Sequence, residues 1–528
     1  MCPPARAPAR RQEEARAGIC VTAAVGITLL SFDMGTDNSI ERVIQYLRGL
    51  AAGEEPGARL PSVRALMRTL RAGPVTIEAA FRRLAQEGLI EARPGQGTFV
   101  APPPPAPGKA GADLDADLDW QTLALGPARA TADALAELAR VPAPGALAFY
   151  AGYLPEELQP SALLAAAASR ALRRPGLWDR SAPEGLDALR TWFAAASGAF
   201  RPHEITICPG SQSALAAAFR ALAAPGDPVL VESPTYPGAL AASRAAGLRP
   251  VPVPIDANGL RPDLLDEAFR ASGARLLYCQ PTYANPTGAV LAPERRGKLL
   301  EILRRAQAFA IEDDWARDFP LDTIAAPAPL AASDEGGHVV YVRSLTKCAA
   351  PGLRIGAIAA RGAALERLRA ARMIDDFFVP GLLQETAVQL LTQPAWKRHL
   401  RGLRAALRAR RDALAAAVRA HLGAAALPLL PPGGLHLWVR LPEGVSDNEI
   451  CERARGADIL LSPGRHWFPA EAPGAFVRLS FAAVAPEVAQ GAIARLASLI
   501  FKGEEGRSSP PGSPPPAASH PQGQRKRA

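Results

Sequence analysis

Lys347 lies in a loop after a short apolar run, His338-Val-Val-Tyr-Val342, and that run predicts a strand. The loops that follow strand ends are where α/β proteins place their chemistry. A lysine in such a loop can be partly desolvated, which lowers the pKa of its amine and frees it to form a Schiff base with a carbonyl compound. Arg354 and the hydroxyls of Ser344 and Thr346 lie nearby in the sequence and are groups that bind phosphate. Taken alone, a lysine at such a position is most often a surface residue, so Lys347 becomes a candidate catalytic residue, and its polar neighbours candidate phosphate ligands, only together with the segments that accompany it.

Three segments upstream of this loop also carry polar residues. They read Gly210-Ser-Gln-Ser-Ala-Leu215, Pro281-Thr-Tyr-Ala-Asn285-Pro-Thr-Gly288 and Ile311-Glu-Asp313-Asp-Trp315. Together with the lysine loop they resemble, in order and type, four motifs of the fold-type I aminotransferases, which use pyridoxal 5'-phosphate. The resemblance implies an α/β transferase domain with that cofactor.

The resemblance also implies a role for each of these motif residues. Gly210, Ser211 and Gln212 correspond to the turn that holds the cofactor phosphate at a helix N-terminus, where free N–H groups and the helix dipole favour an anion. Asn285 corresponds to the residue that contacts the phenolic oxygen of the cofactor. Asp313 corresponds to the carboxylate that keeps the pyridine nitrogen protonated, which makes the ring an electron sink.

Two further residues follow from the same resemblance. Tyr236, in Glu232-Ser-Pro-Thr-Tyr236, is the candidate for stacking on the pyridine ring, and Arg478 is the candidate for binding a substrate carboxylate through a bidentate guanidinium contact. Trp315 is a departure, because many relatives have a tyrosine there. His436, in a segment beside the substrate pocket, is open to a structural or a functional interpretation.

Short apolar runs separated by helical stretches must position these residues. They occur at 205–207, 229–232, 276–279, 309–312 and 339–342, and each ends close to a motif residue. This pattern predicts a mainly parallel sheet with crossover helices, and a ligand site at the carboxyl ends of its strands. We assign residues 144–502 to this domain.

The stretch from Asn38 to Val100 predicts a separate small domain. It contains three helical patterns, the second beginning after the N-cap residue Ser62 and the third at Pro74, and ends in two short strands around a glycine turn. Three helices and a hairpin form a winged helix-turn-helix.

These residues resemble the GntR-type DNA-binding domain over residues 36–101. The resemblance implies that Arg64 and Thr76 face DNA. It implies that the wing tip, Gly95-Gln96-Gly97, enters the minor groove. Gly73-Pro74 departs from the Ser-Arg usual in the family, so an arginine that could read a guanine edge is missing.

The remaining segments and the composition complete the domain organisation. Residues 102–143 are rich in proline and aspartate and predict a linker, and residues 503–528 predict a disordered basic tail. Residues 1–33 contain an apolar run of 14 residues that resembles a secretory signal but is short for a membrane span. We interpret them as a mis-assigned start or a disordered extension of a cytoplasmic protein, with no membrane association.

Six scattered cysteines and seven histidines show no metal-ligand spacing, so we predict no metal site. A winged helix followed by an aminotransferase-like domain resembles the MocR/GabR-type GntR regulators. That resemblance implies a homodimer that binds DNA and senses an amino acid, an amine or the cofactor. Two alternatives remain. One is an active amino acid aminotransferase whose winged helix is vestigial, and the other is a DNA-binding protein whose large domain serves only for dimerisation.

Overall fold

The computed structural model describes residues 38–93, 96–102, 119–125, 128, 133–143, 145–323 and 325–501. The predicted extension 1–33 and the predicted tail 503–528 lie outside these residues. The chain forms two compact units, Met1–Gly126 and Pro127–Ala528.

In the described part of the first unit there are three helices, a hairpin and one further short helix. These are α1 (Asn38–Gly53), α2 (Val63–Leu70), α3 (Pro74–Gln86), β1 (Ile90–Arg93), β2 (Gly97–Val100) and α4 (Asp119–Leu125). The hairpin is antiparallel and pairs Ile90 with Val100. The order of three helices followed by a hairpin confirms the predicted winged helix-turn-helix.

Local sequence explains where the helices of this unit begin and end. The side chain of Ser62 accepts from the backbone N–H of Ala65 at 3.4 Å and caps α2. Arg71 ends α2 in a left-handed conformation, and Pro74 occupies the first turn of α3, where its missing N–H costs no helical bond. Apolar side chains from all three helices and both strands form one buried core, with Ile44 and Ile77 fully buried.

The second unit, as far as the structure describes it, has thirteen strands in three sheets. They are β3 (Leu147–Ala148), β4 (Ile205–Cys208), β5 (Pro228–Ser233), β6 (Arg249–Asp256), β7 (Gly259–Leu260), β8 (Leu276–Cys279), β9 (Phe309–Asp313), β10 (Val339–Ser344), β11 (Gly356–Ala359), β12 (His436–Arg440), β13 (Ile459–Leu460), β14 (Ser462–Pro463) and β15 (Phe476–Ser480) among the described residues.

Twelve α-helices accompany these strands in the described part of the second unit. They are α5 (Asp133–Ala139), α6 (Ser161–Ala171), α7 (Asp187–Ser197), α8 (Ser211–Leu222), α9 (Pro237–Ala245), α10 (Pro262–Ser272), α11 (Pro293–Ala306), α12 (Gly362–Asp376), α13 (Gly381–Leu391), α14 (Pro394–Leu422), α15 (Asp447–Arg455) and α16 (Pro486–Phe501). The helix α5 lies within the predicted linker.

The main sheet has eight strands in the order β4-β11-β10-β9-β8-β5-β6-β7. Its central strands β10, β9, β8, β5 and β6 are parallel, whereas β11 runs antiparallel to both of its neighbours. Every residue of β4, β8, β10 and β11 is buried, as expected for a sheet covered on both faces. This arrangement confirms the predicted mainly parallel α/β sheet, and it brings the ends of β8, β9 and β10 side by side.

A smaller antiparallel sheet, β12-β15-β14, carries His436 and Arg478 on adjacent strands. The long helix α14 contacts β12 and packs against α16. Among the described residues, no helix combines the length and apolar character that crossing a membrane requires.

Candidate functional site

One cavity of about 80 Å³ in the second unit collects most of the predicted site residues. It is lined by Ser211, Gln212, Tyr236, Asn285, Asp313, Lys347, Arg354 and Arg478, among others. Gly210 and Ser344 do not line it. Gly210 lies against the Arg354 guanidinium, and the Ser344 hydroxyl is within hydrogen-bond distance of the Thr346 hydroxyl at 2.9 Å.

Lys347 follows β10 and lies half-buried in the lining of the cavity. Its Nζ lies 3.8 Å from the centroid of the Tyr153 ring. Burial lowers the pKa of Lys347 from 10.5 to about 7; the charges of Arg478 and Arg354 also lower it, while Asp313 opposes the shift. An amine that is largely neutral near pH 7 is able to attack a carbonyl group.

A cradle for an anion forms where α8 begins. Gly210 caps this helix with a φ of +91°, and a Cβ placed there would lie 2.8 Å from Arg354 Nη2. Only glycine therefore allows the guanidinium to approach so closely. Arg354 Nη2 donates to the Pro209 carbonyl at 2.7 Å. A positive side chain beside the free N–H groups of a helix N-terminus fits a phosphate.

Asp313 ends β9 with one oxygen bonded and one oxygen free. Its Oδ2 accepts from the Tyr278 hydroxyl at 2.8 Å and from Gln280 Nε2 at 3.0 Å. Its Oδ1 is buried and has no partner among the described residues. Burial raises the pKa of Asp313 to about 6, against the effect of these two hydrogen bonds. A buried carboxylate oxygen without a donor fits a ligand that brings its own N–H, such as a pyridinium ring.

Arg478, on β15, is a buried cation without an acidic partner among the described residues. Its Nη1 contacts Asn285 Oδ1 and His436 Nε2, each at 3.2 Å, and its Nη2 donates to the Tyr150 carbonyl. Its guanidinium carbon lies 4.4 Å from the Trp467 ring centroid. Burial lowers the pKa of Arg478 to about 9. A buried guanidinium held only by neutral groups fits an anionic ligand.

Two residues whose roles the sequence did not decide, Trp315 and His436, lie next to each other in the lining of the cavity. Trp315 Nε1 donates to the Tyr283 carbonyl at 3.0 Å, and its ring stacks on His436 with centroids 5.5 Å apart. Burial and the neighbouring positive charges, Arg478 first, lower the pKa of His436 well below 6.5. Because a guanidinium only donates, Nε2 of the neutral imidazole accepts from Arg478, so the ring proton lies on Nδ1.

Sequence reasoning missed three residues of this site: Tyr153, Tyr278 and Gln280. Gln280 immediately follows β8, and that position beside a strand end is a usable signal. Tyr278 lies inside an apolar run, and Tyr153 lies in a loop without any motif, so neither is distinguishable by type and spacing. Tyr236, which was predicted, is the N-cap residue of α9, and a Cβ on Gly238 would come within 2.4 Å of its ring.

In the first unit, Arg64 on α2 is exposed and Thr76 on α3 is half-buried. Gln96 and Gly97 are exposed at the hairpin turn, and Gly97 has a φ of +120°. Gly95 lies outside the described residues. At the start of α3, where the guanine-reading arginine is missing, Val75 is 77% exposed. The DNA contacts assigned to these residues remain predictions.

Two family models match the chain. Residues 153–496 match the model for aminotransferase class I and II, and residues 41–100 match that for bacterial regulatory proteins of the gntR family. The first match covers most of the second unit, and the second covers α1 to β2.

Two curated proteins are similar to the chain over most of their own length. The chain is 30% identical over 487 residues to the HTH-type transcriptional regulator TauR of Rhodobacter capsulatus, covering 88% of this chain and 97% of that protein. It is 31% identical over 372 residues to the 2-aminoadipate transaminase of Thermus thermophilus, covering 69% of this chain and 93% of that protein.

Among solved structures, LysN, an α-aminoadipate aminotransferase from Thermus thermophilus complexed with N-(5'-phosphopyridoxyl)-L-leucine, aligns with a TM-score of 0.66 at 30% identity, covering 71% of this chain and 96% of that chain. These similarities confirm the fold-type I aminotransferase domain and pyridoxal 5'-phosphate as its cofactor, and the free Asp313 oxygen and the cradle at Gly210 fit that group. The chain belongs to the aminotransferase class I and II family and, through its fused gntR-type winged helix, to the MocR/GabR-type regulators.

Proposed function

We propose that this protein is a pyridoxal 5'-phosphate-dependent transcription regulator that works in the cytoplasm. Its winged helix binds DNA, and an amino acid or amine effector in the aminotransferase domain changes that binding. The regulator TauR, which matches almost over its full length, supports this proposal.

The observation that carries the effector class is the buried Arg478, which has no acidic partner among the described residues and lines the same cavity as Lys347. A guanidinium binds a carboxylate through two parallel hydrogen bonds. The Lys347 amine marks the position where an effector amine is expected to react. A ligand that satisfies both residues carries one amine and one carboxylate, which describes an amino acid.

Each residue around the cofactor position has a separate role. When bound, pyridoxal 5'-phosphate supplies a carbonyl carbon that accepts amines and a ring that withdraws electrons. Arg354 and the N-terminus of α8 would hold its phosphate, and the Asp313 carboxylate would keep the proton on its ring nitrogen. Lys347 supplies a neutral amine near pH 7, because burial and positive neighbours lower its pKa.

For regulation, a bound effector must favour one conformation of the protein over another. The contacts of Arg478 connect the effector position with the linker that leads to the winged helix. Arg478 Nη2 donates to the Tyr150 carbonyl, and the Tyr150 hydroxyl donates to the Arg140 carbonyl. Arg140 directly follows α5, which lies within the linker predicted at 102–143. Leu138 of α5 lines the cavity itself. An effector carboxylate that changes the bonding of Arg478 therefore acts on the end of the linker.

The proposal includes a homodimer. Large apolar side chains are exposed in two segments of the second unit, with Trp178 78% and Ile374 85% exposed, and Phe377 is exposed beside Ile374. Gly381, four residues after Phe377, lies against the Leu177 carbonyl, which brings the two segments together. Exposed apolar clusters of this kind are typical of protein interfaces. Trp178→Glu combined with Ile374→Glu is expected to yield monomers in light scattering, and an unchanged dimer mass would exclude this interface.

An amino acid aminotransferase with a vestigial head is the second candidate. The complete set of Asn285, Asp313, Lys347 and Arg478 around one cavity favours it, as does the similarity to a 2-aminoadipate transaminase.

One experiment separates the two functions. Purified full-length protein is titrated with amino acids while its visible spectrum and its gel shift on the DNA upstream of its own gene are recorded. If it is a regulator, one effector class changes both the spectrum and the DNA mobility. Turnover to keto acids without any effect on DNA binding would establish the aminotransferase instead.

A further inference from the structure

One buried side chain joins two motifs of the site. Gln280 follows β8, is 2% exposed and lines the cavity. Its Nε2 donates to Asp313 Oδ2 at 3.0 Å, and its Oε1 accepts from the backbone N–H of Asn285 at 2.8 Å. Its own backbone N–H donates to Glu232 Oε2 at 2.9 Å. A single residue thus links the carboxyl ends of β5 and β9 to the loop that follows β8.

The chemistry of its partners fixes the orientation of the Gln280 amide. The Asn285 N–H can only donate, and an ionised Asp313 can only accept. Reversing the amide would place an oxygen against the carboxylate and an NH₂ group against an N–H. The oxygen therefore faces Asn285 and the nitrogen faces Asp313.

This bond also determines which Asp313 oxygen remains free. Gln280 and the Tyr278 hydroxyl, which donates at 2.8 Å, both bind Oδ2. Two donors on one oxygen fix the rotation of the carboxylate and leave the buried Oδ1 without a partner among the described residues. Resting on the proposed binding of pyridoxal 5'-phosphate, we propose that Gln280 is a positioning residue: it holds Asp313 so that Oδ1 is available to the ring nitrogen, and it keeps the Asn285 turn in register with that oxygen.

No other side chain at position 280 would make both the contact with Asp313 and the contact with Asn285. Leucine or methionine would leave both the Asn285 N–H and one hydrogen-bond position of Asp313 without a partner. Glutamate would keep an acceptor for Asn285, but it would add a carboxyl group between those of Asp313 and Glu232. Asparagine is shorter by one methylene and would not span both contacts.

The test uses full-length apoprotein and two cofactors. One is pyridoxal 5'-phosphate, and the other is its 1-deaza analogue, which has a carbon in place of the ring nitrogen and therefore offers nothing to Asp313. Dissociation constants are measured by absorbance and by quenching of tryptophan fluorescence for wild type, Gln280→Met and Gln280→Glu. The Glu variant keeps the acceptor for Asn285, so it also serves if the Met variant fails to fold.

We expect Gln280→Met to weaken binding of pyridoxal 5'-phosphate by about tenfold to a hundredfold, the range for a hydrogen bond to a charged group. The loss should be clearly smaller with the deaza analogue. The matched control Tyr278→Phe removes the other donor to Oδ2, and its loss should likewise be confined to the natural cofactor.

Equal losses with both cofactors for Gln280→Met and Gln280→Glu would mean that Gln280 only supports the local structure, and this would overturn the proposal. Unchanged affinity in both variants would overturn it as well. Failure of the wild-type protein to bind pyridoxal 5'-phosphate would refute the proposed function instead, so the two failures are distinguishable.

Discussion

The ionisation of Lys347 gives a quantitative test of the site without any cofactor. With a pKa of about 7, half of the Lys347 amines are neutral at pH 7. At the ordinary value of 10.5 only about one in three thousand would be neutral at that pH. After burial, the charge of Arg478 is the largest cause of the lowered pKa, and Asp313 acts in the opposite direction. Arg478→Leu should therefore raise the pKa of Lys347, and Asp313→Asn should lower it.

The assay is competitive acetylation of the apoprotein with acetic anhydride between pH 5.5 and 9, with the extent at each lysine read by mass spectrometry. The exposed Lys298 provides an internal reference for reagent concentration. The wild-type profile for Lys347 should have its midpoint near pH 7, and the two variants should shift that midpoint in opposite directions. A wild-type midpoint above pH 9, or shifts of the same sign in both variants, would refute the electrostatic account of this lysine.

Two further predictions concern the effector and the DNA. Arg478→Leu should weaken carboxylate effectors by about tenfold to a hundredfold, because a charged hydrogen-bond partner is lost. Titrations of the visible band with an amino acid and with the matching amine lacking a carboxylate check this, and equal effects on both ligands would exclude Arg478 from carboxylate binding. Arg64→Ala should weaken DNA binding on all sequences and reduce the salt dependence by about one counterion, as expected for a lost phosphate contact. An unchanged salt slope in gel shifts would show that Arg64 does not contact DNA as predicted.

The sheet was predictable where burial on both faces makes the apolar runs continuous. The run at 276–279 is strand β8, and the run at 339–342 forms most of β10. The strand β6 was not predictable, because it contains prolines at 250, 252 and 254, which lack the N–H of a ladder. The structure accommodates them because β6 pairs with β7 only at Ile255 and Asp256, so that no strand of the described residues pairs with most of that edge.

The site was predictable to the extent that each residue follows a strand end in a recognisable motif. Lys347, Asn285, Asp313 and Arg478 line one cavity, although 193 positions separate the last of them from Asn285. Gln280 was missed because its importance depends on the register between β8 and β9, which decides whether its amide reaches the Asp313 carboxylate. Sequence spacing reveals which residues follow strands, but not which of their atoms meet.

Trp315 stands where the resemblance to aminotransferases leads us to expect a tyrosine, and this changes the hydrogen bonds that the site offers to a ligand. Its indole nitrogen donates to the Tyr283 carbonyl at 3.0 Å, and its ring stacks on His436. An indole has one donor and no acceptor, so Trp315 has no hydrogen bond left for a ligand, whereas a tyrosine would supply a hydroxyl. Capture of an amino acid requires Lys347 and Arg478 but not that hydroxyl. A sensor must bind its effector with different affinity in two conformations, but it need not convert the effector into a product. Tryptophan at this position therefore removes a hydroxyl that an enzyme would use, and it leaves in place Lys347 and Arg478, which a regulator needs to bind an amino acid.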